Sequence, residues 1–157
     1  MEMLVYVGIL VIISLLLINT VFTFSQSYRG LSALRLAEHS GIDSMERMTR
    51  DIRQASSVDS SHSTFGGTAG VLTLVSTSGG FSTTTKFYLS NSILKVDVNG
   101  VYFGPLSLSS STVTALTFTL LSSAVSDGVK VDMTVQSTSG VMTKIKKYHS
   151  TIILKGQ

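Results

Sequence analysis

The chain has 157 residues, enough for one domain plus an appendage. Charged residues make up only 13%, against about a quarter in ordinary soluble domains, mean hydropathy is positive at +0.38, and the net charge is a mild +3 with a pI near 9.3. The absence of cysteine excludes thiol nucleophiles, zinc fingers, iron–sulfur clusters and a disulfide-stapled core, so serine and threonine supply most of the polar surface.

The most apolar stretch comes first. Met3 to Ile18 reads MLVYVGILVIISLLLI without a charge, and the apolar character continues through Val21, Phe22 and Phe24. Met3 to Phe24 is 22 residues, which as a helix extends about 33 Å, a match to the roughly 30 Å hydrocarbon core of a bilayer. A soluble helix would show a polar face, and this run is apolar all round. A cleaved secretory signal would need a basic start, a shorter apolar run and a small-x-small cleavage site; the run has none of these, so a retained span over residues 2–24 is expected.

From Arg29 to Ala55 the pattern becomes amphipathic, with Leu31, Leu34, Ala37, Met45, Met48, Ile52 and Ala55 at spacings that fit one helical face. Asp43–Arg47, Glu46–Arg50 and Arg47–Asp51 are opposite charges four apart, each worth a few tenths of a kcal/mol to a helix. No proline precedes Pro105, and Gly30 and Gly41 are weak points, not breaks. One helix of about fifty residues is therefore expected, residues 25–56 forming its amphipathic half, with Met45 and Met48 as gap-filling core. The stripe has two readings: a seam for neighbouring helices in its first part, and core against a sheet in its second.

Residues 57–157 read as a Ser/Thr-rich β domain, entered through a Ser/Gly/Thr loop over Ser56–Gly70. Strands are expected at Val71–Val75, Lys86–Leu89, Leu94–Val98, Val101–Phe103, Leu116–Leu120, Val129–Val135 and Tyr148–Leu154, with Asn99-Gly100 and Asp127-Gly128 as turns. Their period-2 alternation gives a sheet with one apolar face, and the helix has one apolar stripe to bury. The economical fold is α+β, with a long N-terminal helix packed on a mainly antiparallel sheet.

The segment Glu2-Met-Leu-Val-Tyr-Val-Gly-Ile-Leu-Val-Ile-Ile-Ser-Leu-Leu resembles the N-terminal helix of type IV pilins and type II secretion pseudopilins. Met45-Glu-Arg-Met-Thr-Arg-Asp-Ile-Arg-Gln-Ala55 is similar to the helix end of minor pilins and the larger minor pseudopilins. The helix carries the resemblance over about a third of the chain; the β domain matches in architecture only. The resemblance implies a basic leader ending in glycine, its removal by a prepilin peptidase, and methylation of the new N-terminal residue, usually Phe. It also implies a non-enzymatic assembly subunit of a pilus, a secretion system or a DNA-uptake filament. The expected partners are other pilin or pseudopilin subunits through the N-terminal helix, the lipid bilayer, and the peptidase. The expected location is a single pass of the cytoplasmic membrane with an extracytoplasmic β domain, or a cell-surface filament. No leader, cleavage glycine or mature Phe stands ahead of Glu2 here, so residues ahead of Met1 or a different start are expected. The charges agree: Arg29 and Arg35 beyond the span would, taken literally, hold the β domain in the cytoplasm, and a basic leader would reverse that bias.

Glu2 has two readings from its position alone: a membrane-embedded carboxylate, which costs about 2.5–3.5 kcal/mol at mid-membrane without a partner, or an interfacial one beside its own amine. The resemblance favours the first, pairing Glu2 with the N-terminal amine of a neighbouring subunit. Lys144, Lys146 and Lys147, with Lys155 and Tyr148, form the one basic cluster. It is a thin case for a nucleic-acid patch, and lysines on an edge strand give the simpler account. His39, His62 and His149 are far apart with no ligand at metal spacing, so no metal and no cofactor is expected. Asp97-Val-Asn99-Gly100 has the start of a calcium loop but not its twelve-residue spacing. Serines lack a G-x-S-x-G elbow, and no glycine pair forms a phosphate loop, so no catalytic residue is assigned and the chain is not expected to be an enzyme. The rival reading is a monomeric membrane-tethered binding module, an adhesin or a DNA-capturing subunit.

Overall fold

The computed structural model describes residues 2–122 and 127–155; Met1 lies outside them. One uninterrupted helix, α1, runs from Glu2 to Gln54. Leucine is its most frequent residue and isoleucine is abundant, and no proline interrupts the backbone ladder. It ends where the chain is diverted into a sheet: Ser56 N–H donates to Val75 O at 2.8 Å, and Ser57 then pairs with Val75.

Among the described residues eight strands follow, each pair of sequence neighbours antiparallel except β5 and β6, which do not pair: β1 Ser57–Val58, β2 Val71–Ser78, β3 Phe81–Ser90, β4 Ile93–Val98, β5 Val101–Pro105, β6 Ser111–Ser122, β7 Asp127–Ser139 and β8 Met142–Ile153. They form two sheets, β1-β2-β3-β4-β5 and β6-β7-β8, where one sheet was expected. The long polar strands β3 and β6 exceed their expected ends because threonine and serine on the wet face pair as well as valine does. The sheets join along residues 66–70, where Gly70 N–H donates to Leu116 O at 2.7 Å and Leu116 N–H to Thr68 O at 2.8 Å.

The hairpins explain their turn residues. Asn99 at φ 52° and Gly100 at φ 78° make the expected type I′ turn between β4 and β5. Asp127 and Gly128, expected as a turn, lie inside β7 opposite Ser122 and Leu121. Between β7 and β8, Gly140 at φ 62° takes the first central position, as in a type II′ turn.

The core lies between the helix end and the inner faces of both sheets. Met48, Ile52 and Ala55 meet Leu72, Leu74, Phe87 and Val96 from the first sheet and Leu116, Phe118, Val129, Val131 and Met133 from the second, all essentially fully buried. The architecture is α+β: a long N-terminal helix packed on antiparallel sheets, β8 and β7 forming most of its bed.

Candidate functional site

The feature that needs a function is α1 itself. From Glu2 to Arg29 every residue is exposed, and among them Leu4, Leu10, Ile12, Leu16, Phe22 and Phe24 are at least 60% open. Soluble monomers rarely expose contiguous apolar patches beyond a few hundred Å². This half of the helix is long and apolar enough to cross a membrane, and none of it is buried against the rest of the chain.

Burial begins at Gly30. The buried face is Gly30, Ala33, Ala37, Ser40, Gly41, Ser44, Met48 and Ile52, a stripe of small residues that widens only at its end. Small residues let the sheet approach the helix backbone. A Cβ built on Gly41 would lie 2.2 Å from Tyr148 Cε2, so only glycine admits that ring. Tyr148 Oη then donates to Ala37 O at 3.2 Å, and burial raises its phenol above the usual tyrosine range. Ser40 and Ser44 tie the segment joining the sheets: Leu108 N–H donates to Ser40 Oγ at 3.1 Å, and Ser44 Oγ donates to Leu106 O at 3.2 Å.

The expected seam residues divide accordingly. Met48 and Ile52 are buried, Met45 is half-buried against the core, Leu34 is half-buried, and Leu31 is 55% exposed. Leu31 therefore does not pack on the sheet; it belongs to the open surface continuing from the apolar half. Of the expected helix pairs, Arg47 Nε meets Asp51 at 2.8 Å and Arg50 meets Glu46 at 3.5 Å. Arg47 does not pair with Asp43, because its side chain turns to Asp51 and its guanidinium lies over the Phe103 ring, 5.9 Å from the centroid.

Glu2 opens the helix and is exposed. The three lysines do not form one patch. They sit on β8, where alternate side chains face opposite ways: Lys144 and Lys146 share the helix side with Tyr148, and Lys147 shares the other with His149. Lys146 is committed to Glu38 of the helix, an ion pair that holds the Glu38 carboxyl below its usual range and raises the Lys146 ammonium. Lys147 is exposed on an edge strand.

Two polar clusters escaped sequence reasoning because their members meet only through turns and register. Asp59 caps a short 3₁₀ turn over Ser60–His62, accepting from the backbone of Ser61 and His62. Its carboxylate meets Ser61 Oγ at 2.5 Å and His62 Nδ1 at 2.6 Å, which lowers it to about 2. With Thr73, Lys86 and Asp97, Asp59 and His62 line a shallow cleft of about 260 Å³. Both Ser61 and Asp59 face the same ring nitrogen, so His62 has no carboxylate-oriented second nitrogen on the serine, and the trio is a cap rather than a relay. On the second sheet Asp132 is flanked by Lys130 and His149, each at 3.0 Å, and both lower it. Among the described residues no group of three or more acidic or histidine side chains gathers as a metal site.

These features define a class: an α+β domain whose N-terminal helix extends well beyond it as an uncovered apolar rod. Compared with protein-family models, curated proteins and solved structures, the chain matches none. The likeness to pilins therefore stands on the residues quoted above.

Proposed function

We propose that this chain is a non-enzymatic assembly subunit held in a membrane by α1, a minor pilin or pseudopilin of a pilus, secretion or DNA-uptake filament. The carrying observation is the contrast within one continuous helix: residues 2–29 are exposed throughout, with an apolar run that reaches Phe24, and residues 30–54 are docked on the sheets. Such a rod needs either lipid or other copies of itself around it, and both are dry apolar surroundings, so a subunit can pass from one to the other. Head-to-tail contacts between two different surfaces of each subunit, when the rotation does not close, generate open fibres. In this reading Glu2 supplies the one carboxylate of the rod, pairing with the terminal amine of a neighbour, and the β domain faces outward from an extracytoplasmic position.

The rival, a tethered DNA-capturing module, has lost its main support, because Lys146 is paired with Glu38 and Lys147 faces away from Lys144.

The chain has no cysteine, so Leu16→Cys gives a single reporter on the rod. Oxidative crosslinking in native membranes should give disulfide-linked subunits, with Glu2→Ala lowering the yield. Monomer alone would leave a tethered module as the better reading. Intact mass of the native protein should show a methylated N-terminus a few residues ahead of Glu2.

A further inference from the structure

We infer that the turn between β7 and β8, together with Arg29 and Lys144, is a second membrane contact that seats the β domain on anionic lipid headgroups. It rests on the reading that α1 crosses a bilayer.

The position comes from the helix. The apolar run ends at Phe24, and Arg29 is five residues further, about 7.5 Å of helix, which is close to the thickness of one headgroup layer. At that level the β7–β8 turn meets the helix: a Cβ on Gly140 would lie 2.7 Å from the Arg29 guanidinium, and one on Gly30 would lie 3.6 Å from Lys144 Cε. Strand β8 then runs along α1 away from this point, Lys146 reaching Glu38 and Tyr148 reaching Gly41. The domain therefore presents this turn, not its far end, to the bilayer surface.

The composition of the turn fits that place. The other described two-residue hairpin turns are Gly79-Gly80, Asn91-Ser92 and Asn99-Gly100, small or polar as turns in water are. This one is Gly140-Val141, with Val141 81% exposed. Beside it a groove of about 370 Å³ opens between helix and hairpin, lined in part by Thr23, Ser27, Met142 and Lys144. Among the described residues neither Arg29 nor Lys144 has an ion-pair partner. An apolar tip flanked by two uncommitted cations and hydroxyl groups is complementary to the boundary between acyl chains and lipid phosphates.

A built-in control exists. Phe81 is equally exposed at the β2–β3 turn, but that hairpin is tied to the other end of the helix, Ser76 Oγ donating to Gln54 O and Thr77 N–H to Ser56 Oγ. Arg29 to Gln54 is 25 residues, about 37 Å along the axis.

The chain has no tryptophan, so single substitutions report one site each. Full-length Val141→Trp, Phe81→Trp and Leu15→Trp are reconstituted in vesicles of phosphatidylcholine with and without phosphatidylglycerol, carrying brominated acyl chains as quenchers. Leu15→Trp should be quenched in both. Val141→Trp should be blue-shifted and quenched, more so with the anionic lipid, and Phe81→Trp should emit as in water. Each cation near an anionic surface is worth roughly fivefold, so Arg29→Gln with Lys144→Gln should weaken the anionic docking of Val141→Trp by about 25-fold. Excess inorganic phosphate should not displace it. Failure to quench Leu15→Trp would overturn the membrane reading itself. Quenching of Leu15→Trp with water-like emission from Val141→Trp would overturn only the second contact, as would docking indifferent to phosphatidylglycerol or competed by free phosphate.

Discussion

The two halves of α1 share one regular backbone and are nearly equal in length, yet they are built for different solvents. Residues 2–29 are exposed throughout and mostly apolar as far as Phe24; residues 30–54 bury a stripe of glycine, alanine and serine and turn Arg47, Arg50 and Glu46 outward. The half with the greater hydrophobicity thus contributes nothing to the core of its own domain, and the half that docks begins with its smallest residues. Hydrophobicity and burial within the chain come apart because burial needs a surface of matching shape. The sheet supplies one for a flat, small-residue face and none for a rod of leucine and isoleucine. In the proposed reading that rod is matched instead by a medium, lipid or a bundle of like helices.

Substitutions should act differently on the two halves. The largest effect is expected for Ile52→Ala, which opens a cavity in the core and should cost about 2–5 kcal/mol in denaturant unfolding, whereas the same change at Ile12 should leave domain stability within about 0.5 kcal/mol. Equal losses at both sites would break the contrast. Next, Ile12→Arg should leave the domain folded but lower membrane insertion by about 2.5–3.5 kcal/mol, read as the fraction extracted from membranes by carbonate. A smaller loss, about 1–3 kcal/mol, is expected for Gly41→Ala, although alanine is the better helix former: the added Cβ meets the Tyr148 ring at 2.2 Å. Combining it with Tyr148→Ala should be less costly than the sum of the two, because the clash is then removed.

The smallest effect concerns acid. Glu38, Asp59 and Asp132 are all depressed, Glu38 by Lys146, Asp59 to about 2 by its cap, and Asp132 by Lys130 and His149. The unfolded chain therefore binds protons before the folded one. Their contributions are complete above the ordinary carboxylate range and are lost as pH falls through the depressed values. The melting temperature should drop from about pH 4.5 toward pH 2, and Glu38→Gln with Asp132→Asn should flatten that slope. A melting temperature that rises on acidification would contradict these assignments.

Much of this was legible in the residues. Uniform apolarity without proline specifies a helix whatever it packs against, so the long rod and its change of character near Arg29 followed from local pattern. Alternation in Leu94–Val98, Leu116–Leu120 and Val129–Val135 did the same for strands, and Asn99-Gly100 placed a hairpin through its tolerance of positive φ. Asp127-Gly128 misled, because the same dipeptide is acceptable inside a strand where Gly128 passes close to its neighbour's carbonyl, a Cβ there lying 3.2 Å from Ile152 O. The exposed Leu31 agrees with a stripe whose first part is left free for neighbouring helices, whereas the small residues Gly30, Ala33 and Gly41 that make the sheet contact were missed, because periodicity marks large apolar residues.

What the sequence settled alone is therefore what depends on neighbours along the chain: helix, strands, turns and the length of the apolar rod. Tertiary structure decided what depends on neighbours in space. It split the strands into two sheets and put Gly41 under Tyr148. It separated Lys147 from Lys144 and Lys146 by the pleat of β8 and paired Lys146 with Glu38, 108 residues away. Local pattern carries no information on such pairings, because they are selected by the fit of whole surfaces and not by the preference of any one residue.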